Sequence, residues 1–398
     1  MARIAFAWEL GGELGHAIAC WGNASALAAR GHSIAFMFRE LHNLRFLPGS
    51  TEGFALFQAP TFPDEGVGEG TPVSFADILR GCGYRDPVAL AGLVRGWREL
   101  FRAWKPDLVV EDFAPTALLA ARLEGIPRVR CGNGFAMPPR TRPIPPFRFD
   151  AAPPRERVEA AEAAVLSVVN LALATLGEPP LDHLAQQFEA LDDLLCTFPE
   201  LDHYGDRPTA GYWGPNLQVV AGEQVEWTGI AAPRVFVYVK RHLPHVDALI
   251  DVLAASRCQV VAFIPDLEPE RRARLEGPRR IVTSRPVQLD SVLNRCDLVV
   301  SHGGTLAPGS LMRGIPQLVL PSHYEQYLTA VRLQQMGVGT WIGPGQAAAD
   351  VGRAFRALIE NPRYRQAARA YAARYPQFTP REQRRRLCAR IEQLATRL

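Results

Sequence analysis

The stretch Asp297-Leu298-Val299-Val300-Ser301-His302-Gly303-Gly304-Thr305 decides the fold of this chain. A β-branched apolar run ends in a histidine and two glycines, and a helical segment closing at Gly314 follows. A strand, a glycine loop and a helix in that order aim backbone N–H groups at an anion, because helix N-termini carry unpaired donors. Outward from this junction the alternation continues. Residues 317–320 read as a strand and 325–336 as a helix capped by Gly337; upstream, 234–239, 259–264 and 280–283 read as strands, 244–256 as a helix and 289–294 as a helical turn. The first third repeats the logic. Residues 4–8 form a strand run, Gly11-Gly12-Glu13-Leu14-Gly15 a glycine-rich loop, and 16–30 an Ala-rich helix stopped by Gly31. Strands at 33–38 and 107–111, a helix at 115–123 and a strand through Val129 come next. Helices that alternate with short buried strands predict doubly wound parallel α/β sheets. Two such series, parted by the turn-rich stretch 203–229, predict two Rossmann-like domains facing a central cleft. No internal sequence repeat accompanies them.

Length and composition agree. The chain has 398 residues, 47% hydrophobic and 21% charged, which suits a globular protein of two domains. No uninterrupted apolar run reaches about 18 residues, so no transmembrane helix is expected. The N-terminus enters a strand directly, without a signal-peptide cleavage pattern. Seven cysteines, scattered and never spaced Cys-x-x-Cys, argue against a disulfide framework or zinc site and suit a reducing cytoplasm. Of 44 basic residues only Lys105 and Lys240 are lysines. Arginines concentrate in the terminal helical stretch from Arg363 onward, and a docking or solvated helix explains that better than a nucleic-acid surface. Weak peripheral contact with acidic lipid is a minor reading. The seven prolines of residues 137–154 predict a binding loop or lid, followed by a helix over 155–176.

Ligands of open α/β sheets bind beyond the carboxyl ends of strands. The loops after Trp8, Glu111, Val239 and Ser301 are therefore the candidates. His302 with Gly303, Gly304 and Thr305 suits a diphosphate. Glu325-Gln326, opening a helix, offers acceptors and donors for sugar hydroxyls, although Glu325 is equally a helix-start acid favoured by the dipole.

With those residues in view, the chain resembles the inverting nucleotide-sugar glycosyltransferases of family one, which have the GT-B fold. The signature His-x-Gly, Gly-x-Pro, Asp/Glu-Gln, Ala-x-Arg corresponds to His302-Gly303-Gly304, Gly314-Ile315-Pro316, Glu325-Gln326 and Ala330-Val331-Arg332. Gly15-His16 and Arg30-Gly31-His32 match the family's opening helix and the turn after it. The resemblance implies residues 1–212 as acceptor domain, 213–375 as nucleotide-sugar domain, and 376–398 as a helix returning to the first. It implies His16 as general base toward an acceptor hydroxyl and Asp112 as the carboxylate orienting it. Glu111 is the neighbouring alternative, and strand alternation lets only one of the two face His16. His32 is implied to be structural. For the donor, Val287 and Gln288 would meet the base through their backbone, with Arg285 at the stacking position. His302, Gly303, Gly304 and Thr305 would hold the diphosphate, and Glu325 and Gln326 the sugar. No metal or other cofactor is implied.

The implied reaction moves a sugar from a UDP- or dTDP-linked donor to a small, hydrophobic acceptor, in a cytoplasmic monomer or homodimer that binds no nucleic acid. Trp8, Phe62, Phe135, Phe147 and Phe149 would floor the acceptor side. The phosphate loop departs from the family: Thr305 follows Gly304 directly, Gly309 or Ser310 stands where a ribose-binding acid is usual, and Lys240-Arg241-His242 replaces a small-residue loop. Lys240 is expected to compensate for the shortened loop. The departure also motivates an alternative, a non-catalytic sugar-nucleotide-binding helper, and a GT-B epimerase is a third reading that lacks identifiable acids.

Overall fold

The computed structural model describes every residue except 13, 63–70, 148–151, 206, 208–210, 218–221 and 397–398. Phe149, Glu13, part of the loop at 60–75 and part of the stretch at 203–229 lie outside the described residues. The chain divides into two compact units, Met1–Asn216 with Thr379–Leu398, and Leu217–Phe378.

The first unit runs β1 (Arg3–Trp8), α1 (Leu14–Ala28), β2 (Ser33–Phe38), β3 (Ala55–Gln58), α2 (Phe75–Arg80), α3 (Pro87–Trp104), β4 (Leu108–Glu111), α4 (Pro115–Leu123), β5 (Arg128–Gly132), α5 (Arg155–Thr175) and β6 (Asp193–Leu195). Its six strands are parallel in the order β3-β2-β1-β4-β5-β6. β1 and β4 are buried almost throughout, as parallel strands covered on both faces must be. α3 follows from its sequence. The Asp86 carboxylate accepts the Val88 and Ala89 N–H groups, Pro87 takes the first helical position, and Leu90, Val94, Trp97, Phe101 and Trp104 form one buried stripe.

α5 requires a correction. It is long and apolar enough to cross a membrane by length and composition, because its scattered polar residues interrupt every apolar run without lowering mean hydropathy much. Val158, Ala161, Val165, Val169, Ala172 and Leu173 are buried, and the helix packs on α2 and α3.

The second unit runs β7 (Arg234–Tyr238), α6 (Val246–Ala255), β8 (Gln259–Phe263), α7 (Pro269–Leu275), β9 (Arg280–Thr283), α8 (Leu289–Leu293), β10 (Leu298–Ser301), α9 (Leu306–Leu311), β11 (Gln317–Val319), α10 (Tyr324–Gln335), β12 (Gly339–Trp341), α11 (Ala348–Glu360) and α12 (Pro362–Ala372). Its sheet, β12-β11-β10-β7-β8-β9, is again parallel. Counted from each unit's first strand, both orders are 3-2-1-4-5-6, so the duplication absent from the sequence is present in the topology. Apolar clusters cover both faces of this sheet, one including α6 and α11 residues and the other α8 residues. α9 is only six residues long, shorter than the helix expected to reach Gly314.

α13 (Pro380–Thr396) completes the first unit by packing on α1, with Leu387, Cys388 and Ile391 fully buried. Its Glu392 meets Arg30 and His32, each at 3.0 Å, and Gln383 donates to the Gly214 carbonyl. His32 Nδ1 accepts the Ala2 N–H, so Nε2 is the nitrogen that donates to Glu392. His32 therefore ties the start of the chain to its last helix.

Candidate active site

In a 3-2-1-4-5-6 sheet the strand order reverses between the first and fourth strands, and the loops that leave those strands diverge to open a crevice. In the first unit these loops follow β1 and β4.

They bring His16 and Asp112 together. His16 sits in the first turn of α1, and Asp112 immediately follows β4; His16 Nδ1 lies 3.1 Å from Asp112 Oδ1. Asp112 is positioned by its own N–H, which donates to the Ala7 carbonyl, and by Gly132, where a Cβ would lie 3.1 Å from Oδ1. Cys20 Sγ reaches Asp112 Oδ2 at 3.8 Å, and its thiol is held well above its ordinary pKa by burial and then by that carboxylate. The imidazole stacks on the buried Trp8 ring at 5.5 Å, and Trp8 Nε1 is anchored on the Leu10 carbonyl. Gly11 allows the other ring nitrogen room: its φ is +71°, and a Cβ there would lie 3.1 Å from His16 Nε2.

Glu111 does other work. Its carboxylate accepts the Ala114 N–H below the start of α4, and burial raises its pKa to about 8. Glu9, at the end of β1, accepts the Thr116 and Ala117 N–H groups of α4, and burial raises its pKa to about 7. Its position becomes significant only once β1 and β4 are neighbours.

Of the aromatic residues expected to line an acceptor site, Trp8, Phe135 and Phe147 are linked through His16 and Phe113 into a connected chain of rings. Phe113, with φ +53°, lies 6.0 Å from His16 and 5.8 Å from Phe135, which stacks on Phe147 at 5.1 Å. Phe135 and Phe147 are buried by this packing. Phe62 stands apart, against Gly83.

In the second unit the corresponding loops follow β7 and β10, and they carry Lys240 and His302. His302 is buried, with the Tyr238 ring edge-on at 5.0 Å. Gly303 has φ +90°, and a Cβ there would fall 2.9 Å from Val319 Cγ1 and 3.2 Å from the Gln326 carbonyl. The Gly303 N–H donates to Ser301 Oγ, and Thr305 precedes α9 without a side-chain cap. Gly304 packs beside His302 Nε2. Lys240 is half-buried and lies two residues beyond the end of β7. Ser310 Oγ donates to the Leu306 carbonyl, so its hydroxyl serves α9 itself.

The Gln288 N–H donates to the Glu223 carbonyl and its carbonyl accepts from Ser291. The parallel bridge between Glu223 and Val287 uses groups of Pro286 and Gln288, which turns Val287's own N–H and carbonyl to the opposite edge. The Gln326 amide oxygen accepts the Ser322 N–H and hydroxyl, each at 2.8 Å. Glu325 is half-buried in the first turn of α10, and Arg285 is exposed.

Two doubly wound units, each with chemistry at its switch point, define the GT-B class. TM-scores of 0.70 to the glycosyltransferase of kitacinnamycin and 0.69 to the glycosyltransferase VinC in complex with dTDP agree, with at least 99% of both chains covered in each case at 18% identity. Residues 247–389 match the erythromycin biosynthesis protein CIII-like C-terminal domain. L-demethylnoviosyl transferase of Streptomyces niveus is 28% identical over 79% of this chain and 78% of its own length. TDP-daunosamine transferase DnrS of Streptomyces peucetius is 33% identical over 32% of this chain, a match that spans 30% of its own length. The chain thus has the fold of these glycosyltransferases, and over residues 247–389 it is similar in sequence to the erythromycin biosynthesis protein CIII-like C-terminal domain.

Proposed function

We propose that this protein transfers a sugar from a nucleoside-diphosphate sugar to a hydroxyl of a small hydrophobic acceptor, with inversion at the anomeric carbon. The observation that carries the reading is the His16–Asp112 pair at the first unit's switch point. With Nδ1–H directed at Asp112, the imidazole is held in the tautomer whose Nε2 bears the lone pair. Nε2 takes the proton of the acceptor hydroxyl. The acceptor oxygen then forms its bond to the anomeric carbon while the bond from that carbon to the diphosphate oxygen breaks. The electron pair leaves with the nucleoside diphosphate, and Asp112 stabilises the imidazolium that forms.

The second unit supplies the donor site. His302, the Gly303–Gly304 turn and Lys240 meet the leaving diphosphate, whose charge grows as the bond breaks. Val287 meets the base through its outward backbone groups, and Glu325 the sugar. The diphosphate is uridine- or thymidine-linked; DnrS is described as a TDP-daunosamine transferase, and VinC was solved with dTDP. The ring cluster from Trp8 to Phe147 favours an apolar acceptor beside His16.

The test is His16→Ala, assayed for release of nucleoside diphosphate against a panel of donors and polyketide or aromatic acceptors, with and without EDTA. Loss of transfer with unchanged donor affinity, and no effect of EDTA on the parent enzyme, is the expected result. Full activity in His16→Ala overturns the base assignment.

A further inference from the structure

The second unit has a cavity of about 580 Å³ lined by Arg234, Arg295, Arg313, Arg365 and Arg369, together with Cys296 and Asp297. It lies at the opposite end of the sheet from His302 and Lys240. Arg234 opens β7 and Asp297 immediately precedes β10, so the cavity is at the amino ends of the strands.

Asp297 is the one carboxylate in this lining, and it is fully used. Its Oδ2 accepts the Arg234 backbone N–H at 2.8 Å, and its Oδ1 pairs with Arg365 at 2.7 Å. Arg313 pairs with Asp290 and donates to the Gly309 carbonyl. The guanidinium groups of Arg234, Arg295 and Arg369 have no carboxylate within ion-pair distance among the described residues. Several other arginines of the unit are matched with acids, as Arg271 is with Asp247 and Glu268 and Arg272 with Glu276. The convergence is built into the backbone. Gly314, at φ +67°, lacks the Cβ that would lie 2.9 Å from Arg369 Cγ, so α12 is able to bring Arg365 and Arg369 to the sheet end.

We propose that this cavity is a second anion site, for a small polyphosphate of the pyrophosphate class, either free or as the diphosphate of a nucleotide. Like charges gathered round one space repel, and a multivalent anion relieves that repulsion. Guanidinium forks match phosphate oxygens in bidentate geometry, and a cavity of this size accommodates a molecule as large as a nucleotide. The Cys296 thiol, pushed up to about 12 by burial, stays protonated and adds no competing negative charge.

Calorimetry with sodium pyrophosphate, and separately with thymidine diphosphate, tests this on the full-length parent and on Arg295→Gln/Arg369→Gln. The double variant should bind pyrophosphate at least tenfold more weakly, with a stronger loss at low salt. Exposed Arg295→Gln alone, which removes no core contact, should weaken it severalfold and so guards against misfolding of the double variant. If the variants weaken thymidine diphosphate as well, the source is a nucleotide; if pyrophosphate alone, the free anion. Absence of pyrophosphate binding in the parent, or equal binding by parent and Arg295→Gln, overturns the proposal. None of these readings depends on sugar transfer.

Discussion

Asp112→Asn removes one charge and almost no volume, so it isolates the electrostatic share of the proposed base. In the ground state the carboxylate faces a neutral imidazole; after proton transfer it faces an imidazolium 3.1 Å away. At that distance a full charge pair gains about 1.3 kcal/mol in water and about 5 kcal/mol at an effective dielectric constant of about 20. The His16 and Asp112 side chains are only 15% and 8% exposed, which favours the upper part of that range. At about 1.4 kcal/mol per decade, kcat should fall by about 10² to 10⁴. KM for the donor should hold, because Asp112 belongs to the first unit and the residues proposed to bind the donor to the second. Gly132 leaves the same space for an amide as for the carboxylate, so circular dichroism and melting temperature should be near those of the parent. The assay is initial-rate release of nucleoside diphosphate with saturating donor. A fall in kcat of less than about threefold in a folded variant would refute the reasoning, since the pair would then contribute nothing to the transition state.

Buried Glu9 and Glu111 keep their protons to about pH 7 and about pH 8, against an ordinary value of 4.5. The folded state therefore binds more protons than the unfolded state above pH 4.5. Stability should fall as pH rises through that window, by at most about 1.4 kcal/mol per unit for each group, and level off above about pH 8. Calorimetric melting from pH 5 to 9 checks this; Glu111→Gln should flatten the profile, and a parent profile that is already flat would count against it. Gly303→Ala should cost about 1–3 kcal/mol in urea denaturation, since it adds a Cβ at positive φ against Val319 and the Gln326 carbonyl. Parent-like stability would mean the loop relaxes freely.

Much of the architecture is legible in the sequence because buried parallel strands read as unbroken apolar runs. Residues 4–8, 34–38 and 260–264 are of that kind. β3, β6 and β12 are not: β3 alternates between half-buried and exposed positions, and β6 and β12 have only three residues each. The amphipathic spacing of α3 and its Asp86-Pro87 start are plain signals in the sequence. At the site, the nearness of His16 and Asp112 is anticipated by resemblance, whereas the choice between Glu111 and Asp112 needs the turn after β4. Glu9, Cys20 and Gly132 reach the pair only across neighbouring strands and helices, which no local pattern encodes. The engagement of Gln288 depends on its pairing with residue 223, 65 positions away, and that of Gln326 on the turn at Ser322.

The docking of α13 on the first unit bears on the order in which the protein forms during synthesis. The contact between His32 and Glu392 spans 360 residues. The second unit is continuous in sequence and has all its strands and helices once residue 378 has left the ribosome. The first unit, although begun earlier, lacks the cover that α13 gives α1 until Leu387, Cys388 and Ile391 arrive. Domains commonly fold amino-terminal first. Here the amino-terminal unit acquires its last element, α13, only after the second unit's chain is complete.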